Sequence, residues 1–277
     1  MHLTLLTLNL QHRSMKEGRW PGLASVIRAQ QPDLVLLQEA DWLTNPDHVR
    51  TAEDDLGMTI VGAPSRNLPV GVAWRCDKLT LVEVDTAHSA QLHHGYSAPR
   101  FDVPGLTDRL PVPLVVISTH LIPYSAQQAA QEAQTVATRL YRYGGLGVVG
   151  GDINHLPLGD EEPDWETIQP YNRAARCHRR RHDAEPWRGN RIVGETLRDA
   201  GLVDACAHIA DQRKNPSLRR PTGKAGGVRV DQFWATASVA PAIDDYVWVN
   251  NPHGDHHGVL TRLDLTRIDR GILRDYT

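Results

Sequence analysis

The sequence predicts an α/β layered fold, and two observations lead to this prediction. Short apolar runs of strand length recur from one end of the chain to the other. Between them lie segments whose apolar residues have the spacing of an amphipathic helix. Strands interspersed with helices are typical of sheets that are covered by helices. Since neither an internal repeat nor a domain linker is evident, residues 1–277 are expected to form a single domain.

The first part of the chain contains most of the predicted strands. Residues 3–10 form an apolar run that indicates a buried strand starting almost at the N-terminus. Residues 20–31 space their apolar side chains as one face of a helix, which Pro32 ends. Further strands are expected at residues 34–37, 70–74, 80–84 and 114–119.

The second part of the chain contains the clearest helix prediction. Residues 125–143 are rich in Ala, Gln and Glu, Ser125 can cap their N-terminus, and Gly144 ends the helix. A further helix is expected at residues 192–200, and strands are expected at residues 146–149, 228–235, 245–249 and 259–265. Residues 157–189 are polar and proline-containing, which predicts a long insertion loop of the kind that often has a function.

The charge of the chain is unevenly distributed. The formal net charge is −3, whereas a protein that grips nucleic acid with its whole surface is usually basic. Residues 173–229 nevertheless contain 14 Lys and Arg against 6 Asp and Glu. Such a block indicates either a charged partner or a solvated loop whose arginines pair with acidic neighbours. Within this block, Arg179, Arg180 and Arg181 are candidate substrate-binding residues. They belong to its densest basic stretch, which could contact a phosphate backbone or a polyanionic small molecule and contains Arg173, Arg176, His178, Arg179, Arg180, Arg181 and His182.

The cysteines and the N-terminus exclude several classes of protein. The three cysteines show no CxxC pattern, so neither a disulfide framework nor a thiolate zinc site is indicated. The N-terminus lacks the basic region of a signal peptide, and no apolar run reaches the ~18 residues of a membrane helix. A cytoplasmic location without membrane insertion is therefore expected, and no protein partner is indicated.

Polar residues that can bind a metal or transfer a proton recur at or near the ends of apolar runs. Side chains at strand ends converge when their strands share a sheet edge. Carboxylates are the hard donors that magnesium prefers, and imidazoles can donate hydrogen bonds to phosphate or transfer protons near neutral pH. Such a set suits the attack of water on phosphorus. The residues are Asn9, Glu39, His120, Asp152, Asn154, Asp231, Asp255 and His256.

Six short motifs containing these residues resemble, in order, those of the endonuclease/exonuclease/phosphatase superfamily. The superfamily includes DNase I-like nucleases, abasic-site endonucleases, deadenylases and inositol-polyphosphate phosphatases. The resemblance implies a four-layer α/β/β/α sandwich of two mixed β-sheets with helices outside. It also implies metal-assisted hydrolysis of a phosphodiester or phosphomonoester. The motifs are Thr7-Leu8-Asn9-Leu10, Leu37-Gln38-Glu39, Ser118-Thr119-His120-Leu121, Gly151-Asp152-Ile153-Asn154, Arg229-Val230-Asp231 and Gly254-Asp255-His256-His257.

The resemblance implies a metal site and its residues. Glu39 resembles the principal metal-binding carboxylate, Asn9 its neighbour, and Asp255 a further carboxylate at the metal. Mg²⁺ is the expected ion and Mn²⁺ the alternative. The last motif departs from the usual pattern, because Gly254 stands where the family usually has serine.

The resemblance also implies roles around the phosphate. Asp152 resembles the carboxylate that orients or deprotonates the attacking water, and Asn154 its phosphate-contacting partner. His256 resembles the histidine that contacts the scissile phosphate, and His120 a phosphate-binding group or leaving-group acid. Asp231 resembles the carboxylate that pairs with the histidine corresponding to His256 and keeps it protonated.

The sequence leaves three alternatives open. Asp231 lies in a predicted apolar strand and needs a cationic or hydrogen-bonding partner, which is either His256, the favoured candidate, or Arg229. The substrate is nucleic acid, which makes the protein a nuclease, or a phosphorylated sugar, inositol or nucleotide, and phospholipid head groups are the least favoured class. His155, beside Asn154, is a further candidate for substrate binding. The remaining alternative is a non-catalytic binding module of the same fold.

Overall fold

Two mixed six-stranded sheets pack face to face in the computed structural model, which describes residues 1–106 and 110–276. Numbered along the chain, the strands of the first sheet occur in the spatial order β11 (Ile243–Val249), β12 (Gly258–Asp264), β1 (His2–Asn9), β2 (Leu34–Gln38), β4 (Gly71–Trp74) and β3 (Thr59–Gly62). The order in the second sheet is β5 (Thr80–Asp85), β6 (Tyr96–Asp102), β7 (Leu114–His120), β8 (Gly147–Asp152), β10 (Asp231–Thr236) and β9 (Leu202–Asp204).

Helices cover the outer faces of both sheets, which confirms the predicted sandwich. The first sheet packs against α1 (Trp20–Ala29) and α2 (Pro46–Leu56), and the second against α3 (Ala126–Arg142) and α5 (Ile192–Asp199). The exception is α6 (Ala205–Gln212), whose Ala205, Cys206 and Ile209 belong to the apolar cluster between the sheets. Within the described ranges, no helix has the length and apolar character needed to cross the hydrocarbon region of a membrane.

The central strands are apolar without alternation because both of their faces are buried. Every residue of β2 is buried: Leu34 and Leu36 face the other sheet, while Val35 and Leu37 face the helices. Removing one such leucine side chain from water stabilises the fold by roughly 1.5–3 kcal/mol. The strands on which the site is built therefore lie in the most buried part of the molecule.

The predicted helix at residues 125–143 is confirmed as α3. The Ser125 hydroxyl accepts a hydrogen bond from the backbone N–H of Gln128 at 3.4 Å, as an N-cap does. The buried face of the helix is formed mainly by small residues, which allow it to lie close to the second sheet. They are Ala126, Ala129, Ala130, Ala133, Val136, Ala137 and Leu140.

Residues 157–189 are not a plain loop, so that prediction was partly wrong. The segment contains a short helix, α4 (Pro170–Arg176), and a backbone bridge between Cys177 and Gly189. Its Trp165 and Ile168 pack with Val228 and Val230 in a small apolar cluster. The polar composition hid these contacts because they are made with a distant part of the chain.

Other elements were not predicted for identifiable reasons. The strands β3 and β9 contain only four and three residues, too few to show a period. A proline, Pro99, lies within β6, and such a residue usually argues against a strand. Only Ala52 and Leu56 of α2 are buried, so its apolar stripe is weak. The unpredicted α6 follows β9 directly and is capped by Asp204.

Candidate active site

Strands of both sheets begin or end at the same edge of the sandwich. In the first sheet, β1 and β2 are parallel and end there, while β12 is antiparallel to β1 and begins there. In the second sheet, β7 and β8 are parallel and end there, while β10 is antiparallel to β8 and begins there. The register places His120 opposite Asp152 and Asp152 opposite Asp231. Six strands thus bring their polar terminal residues to one place.

The side chain of Asn9 joins the two sheets at this edge. Its Nδ2 donates hydrogen bonds to Glu39 Oε1 and to Asp152 Oδ2, both at 3.1 Å. Its Oδ1 accepts a hydrogen bond from the backbone N–H of Gln11 at 2.9 Å, which defines the orientation of the amide. The carboxylates of Glu39 and Asp152 therefore lie on either side of a single nitrogen atom.

The backbone at the site adopts unusual conformations. Glu39 and Asn154 have φ values of +54° and +63°, a left-handed region that few non-glycine residues occupy. Gly151 has a φ of +149°, and a Cβ at this position would lie 1.8 Å from the carbonyl oxygen of Thr119. Only glycine fits here, immediately before Asp152. Conformations of this kind concentrate at functional sites.

Asp152 lies at the centre of the site, with 2% of its surface exposed. Its Oδ1 accepts the backbone N–H of Asn154 at 3.0 Å, and its Oδ2 lies 3.5 Å from His120 Nε2 and 3.7 Å from His256 Nε2. Burial by itself raises the pKa of Asp152, but attraction by His256, His120 and Arg176 is stronger and lowers it. Asp152 is therefore a carboxylate at neutral pH.

His256 forms a close pair with Asp231. Its Nδ1 lies 2.8 Å from Asp231 Oδ2, while the backbone N–H of Asp231 donates to Thr222 Oγ1 at 2.9 Å. Burial by itself lowers the pKa of His256, but the attraction of Asp231 and Asp152 raises it to about 10. His256 is thus an imidazolium at neutral pH. Arg229, the other candidate partner of Asp231, pairs instead with Asp160 and Asp204.

Glu39 is held from three sides. Its Oε2 accepts the backbone N–H of His12 at 2.9 Å and lies 3.3 Å from the ring of the same residue. Burial opposes ionisation, but His120, the His12 N–H and Asn9 together lower the pKa of Glu39. The carboxylate is therefore ionised, although most of its surface is buried.

These groups fit a divalent cation. The ionised carboxylates of Glu39 and Asp152 are joined through the Asn9 amide and supply oxygen donors. Asp231 lies within 4.8 Å of Asp152 and His256, but it is paired with the imidazolium of His256. In the part of the chain that the structure describes, no Lys or Arg lies within 4.0 Å of either Glu39 or Asp152. Buried carboxylates without a lysine or arginine partner match the hard oxygen donors that such cations bind.

His120 is packed between the site and a second histidine. The ring of His94 stacks on it with centroids 3.9 Å apart and an interplanar angle of 16°. His94 Nδ1 accepts the backbone N–H of Leu68 at 3.2 Å, and burial followed by repulsion from His120 lowers the pKa of His94 to about 2. His94 is thus a neutral ring that fixes the plane of His120.

Several candidate residues lie outside this group. Asp255 is exposed and is not one of the residues of the compact cluster. His155, a candidate for substrate contact, is only 1% exposed and its Nε2 lies 3.1 Å from the carbonyl oxygen of Ile122, which places it behind the site. The Arg180 guanidinium lies 3.9 Å from the ring centroid of Trp187 and donates to the backbone oxygen of Asp183. Arg179 and Arg181 are exposed.

Three residues of the site were not singled out from the sequence, and a fourth was named only as part of the basic run. His12 contacts Glu39, Thr222 contacts the Asp231 backbone, and His94 stacks on His120. The fourth, Arg176, ends α4 and lies against Asn154. The basic run indicated a possible phosphate contact, but only the fold distinguishes Arg176 from its exposed neighbours. His12 and His94 do not belong to any of the six sequence motifs.

Residues 6–264 match the sequence profile of the Endonuclease/Exonuclease/phosphatase family. The chain therefore belongs to this family and is a phosphoesterase of the metal-dependent class that contains both nucleases and phosphatases. No curated protein matches the sequence significantly.

Solved structures of family members share the fold. A D. rerio TDP2 humanized by 14 mutations is similar with a TM-score of 0.62 and 16% identity, over 95% of this chain and 99% of that one. The catalytic domain of human Nocturnin with a bound sulfate anion is similar with a TM-score of 0.60 and 13% identity, over 95% and 93%. ANGEL2, a 2',3'-cyclic phosphatase, is similar with a TM-score of 0.60 and 12% identity, over 95% of each chain.

Proposed function

We propose that this chain hydrolyses phosphate esters with Mg²⁺, or Mn²⁺ as the alternative, at the site around Asp152. The observation that carries the proposal is the pair of hydrogen bonds from Asn9 to Glu39 and Asp152, which brings carboxylates of both sheets to one point. The carboxylates of Glu39 and Asp152 would hold the cation, and Asn9, whose Nδ2 donates to both, would position them. Asp255, next to His256, adds negative charge at the rim and contributes to the raised pKa of that histidine.

The surrounding residues support a direct attack of water. A bound divalent cation would supply polarisation of the phosphoryl group and a lower pKa for the attacking water. Asp152, ionised and hydrogen-bonded to the Asn154 N–H, can orient this water and accept its proton. Asp231 keeps His256 protonated, so that its Nε2–H can donate to a phosphoryl oxygen. His120 is placed to bind the phosphate or to protonate the leaving group.

We favour a nucleic-acid phosphodiester as the substrate, because Arg179 and Arg181 are exposed in a basic segment that also supplies Arg176 to the site. Among the similar structures, one is TDP2 complexed with single-strand DNA product and one is the endonuclease domain of TRAS1. The alternative is a phosphatase acting on a phosphorylated sugar, inositol or nucleotide. We further propose that residues 1–277 work as one domain, since both sheets contribute to the site. The cytoplasmic location stays a prediction.

The first experiment tests catalysis. Turnover of bis-p-nitrophenyl phosphate with Mg²⁺ or Mn²⁺ is compared between the parent, Glu39→Gln and Asp152→Asn. Each substitution should lower kcat by roughly 10²–10⁴-fold, because a metal ligand or the base is lost. Asp54→Asn, an exposed residue of α2, is the matched control and should keep full activity. A parent without activity on any ester or metal would instead support the binding module.

The second experiment separates the substrate classes. Plasmid DNA, RNA and a panel of phosphorylated metabolites are offered to the parent protein. If the substrate is nucleic acid, replacing both Arg179 and Arg181 with Gln should weaken cleavage and reduce its dependence on salt. Arg262 and Arg270, also exposed, serve as the control pair. Cleavage of metabolites alone, with no effect of the arginine pair, would favour the phosphatase.

A further inference from the structure

Arg176 is a buried cation at the floor of the site. It is the last residue of α4, and only 7% of its surface is exposed. Its Nη2 donates to Asn154 Oδ1 at 3.4 Å, and the N–H of Asn154 in turn bonds to Asp152. The guanidinium therefore lies beside the carboxylate at the centre of the site, although α4 belongs to the segment 157–189.

The hydrogen-bonding capacity of Arg176 is almost unused. A guanidinium offers five N–H donors. Over residues 1–106 and 110–276, the side chain makes a single long hydrogen bond, its Nε has no partner, and no carboxylate oxygen lies within 4.0 Å. A buried charge without close partners is costly to maintain. The free donors indicate that an anion completes this arrangement.

The guanidinium is also held in position from its other side. A Cβ on Gly226 would lie 2.6 Å from Arg176 Nη1, so this glycine leaves the room that the arginine occupies. The same loop carries Thr222, which binds the backbone of Asp231, and Gly223, which bridges to His256. Arg176 is thus enclosed between the Asp152 turn and the loop that supports the His256 pair.

We propose that Arg176 binds a non-bridging oxygen of the phosphoryl group that is hydrolysed at this site, and that the segment 157–189 is therefore part of the active site. The inference rests on the proposed function, because it assigns a residue to the same phosphate. A planar guanidinium matches the geometry of phosphate oxygens and is the side chain best suited to bind them in a buried setting. Burial lowers the pKa of Arg176, while the smaller attraction of Asp152 and Asp231 acts in the opposite direction and favours the charged guanidinium.

The test measures anion binding separately from turnover. Inorganic phosphate is titrated into the metal-loaded protein by calorimetry, and its inhibition constant against bis-p-nitrophenyl phosphate is determined. Arg176→Gln should weaken phosphate binding by about 10–100-fold, since charge-assisted hydrogen bonds contribute a few kcal/mol. The phosphate affinity of Arg176→Lys should lie between those of the parent and Arg176→Gln, because lysine keeps the charge without the planar geometry. Arg262→Gln, an exposed arginine of β12, should bind phosphate as the parent does.

A purely structural role predicts a different result. If Arg176 only neutralises Asp152 and Asp231, Arg176→Gln will change thermal stability but leave phosphate affinity and KM unchanged, which overturns the inference. Should Arg176→Gln not fold, Gly226→Ala displaces the guanidinium without removing it and should also weaken phosphate binding. A parent that binds phosphate through Arg176 but hydrolyses no ester would refute the proposed catalysis and would leave Arg176 as a phosphate-binding residue of a non-catalytic site. A parent that binds no phosphate would overturn the inference.

Discussion

Among residues 1–106 and 110–276, two arginines are buried, and their surroundings differ completely. Arg229, 1% exposed, makes four hydrogen bonds to the carboxylates of Asp160 and Asp204, at distances of 2.6–3.1 Å. Arg176, 7% exposed, makes one hydrogen bond of 3.4 Å to a neutral amide. One buried charge is fully satisfied within the protein, and the other is not.

The difference separates a structural network from a binding site. Arg229 connects Asp160, at the start of the segment 157–189, with Asp204, the N-cap of α6. It stands two residues before Asp231, so this closed network supports the strand on which the site is built. In the site, by contrast, Arg176 Nε and His120 Nδ1 have no hydrogen-bond partner among the described residues. Unsatisfied buried polar groups are what a ligand can complete.

The largest expected effect is a loss of stability when Arg229 is removed from its ion pairs with Asp160 and Asp204. Arg229→Met leaves the carboxylates of Asp160 and Asp204 buried without a cation, which should cost about 3–5 kcal/mol of unfolding free energy. Arg176→Met breaks no close pair and removes a charge that is costly to keep buried, so the unfolding free energy should not fall. Urea denaturation of the two variants measures both values. Equal losses would erase the distinction between the two arginines.

A large effect on catalysis, without a comparable loss of stability, is expected from Asp231→Asn. The amide no longer holds His256 as an imidazolium, so kcat should fall by roughly 10²–10⁴-fold, as for other groups that maintain an acid–base residue. Steady-state turnover is measured beside circular dichroism, and Asp54→Asn again serves as the control. Activity within threefold of the parent would remove the Asp231–His256 pair from the proposed mechanism.

Lowering the pH should reduce the free energy of unfolding, because His155 is buried as a neutral ring. Burial, which is stronger than its hydrogen bond to Ile122, lowers the pKa of His155 to about 4 from an ordinary value of 6.5. Between these values the unfolded chain binds a proton that the folded chain does not, so stability falls as pH decreases below 6.5. His155 should contribute a loss of about 2 kcal/mol between pH 7 and pH 5. His155→Gln should show a correspondingly smaller dependence on pH in urea unfolding, and an unchanged slope would contradict this assignment.

The smallest effect should come from the ring that stacks on His120. His94→Ala removes the stack and should lower kcat about 2- to 10-fold, in line with the ~0.5–1.5 kcal/mol of an aromatic pair. His94→Phe keeps a ring at this position and should retain most of the activity. The kcat and KM values of both variants test whether the stacked ring positions His120. If the two substitutions have equal effects, the stacked ring does not position His120.

Much of the architecture was predictable because burial leaves a pattern in the sequence. The continuous apolar run of β2 and the capped, alanine-rich α3 were predicted from residues that are neighbours in the chain. The polar residues at strand ends were predicted for the same reason, and the structure brings most of them together. Asp255 and His155 were predicted as site residues, but Asp255 is exposed at the rim and His155 is buried behind the site. The neighbouring residues in the sequence do not indicate either position. The role of each site residue stays a proposal.

The amino-acid sequence by itself determined the strands, the main helices and the chemical types available at one edge of the sheets, because periodic burial depends on neighbouring residues. Only the tertiary structure decided which charges meet. The Asn9–Asp152 hydrogen bond joins residues 143 positions apart, and Arg176 reaches the site from a segment with polar composition. Hydrogen bonds and ion pairs act over a few ångströms, so the partners of a buried charge depend on distances in space that periodicity does not encode.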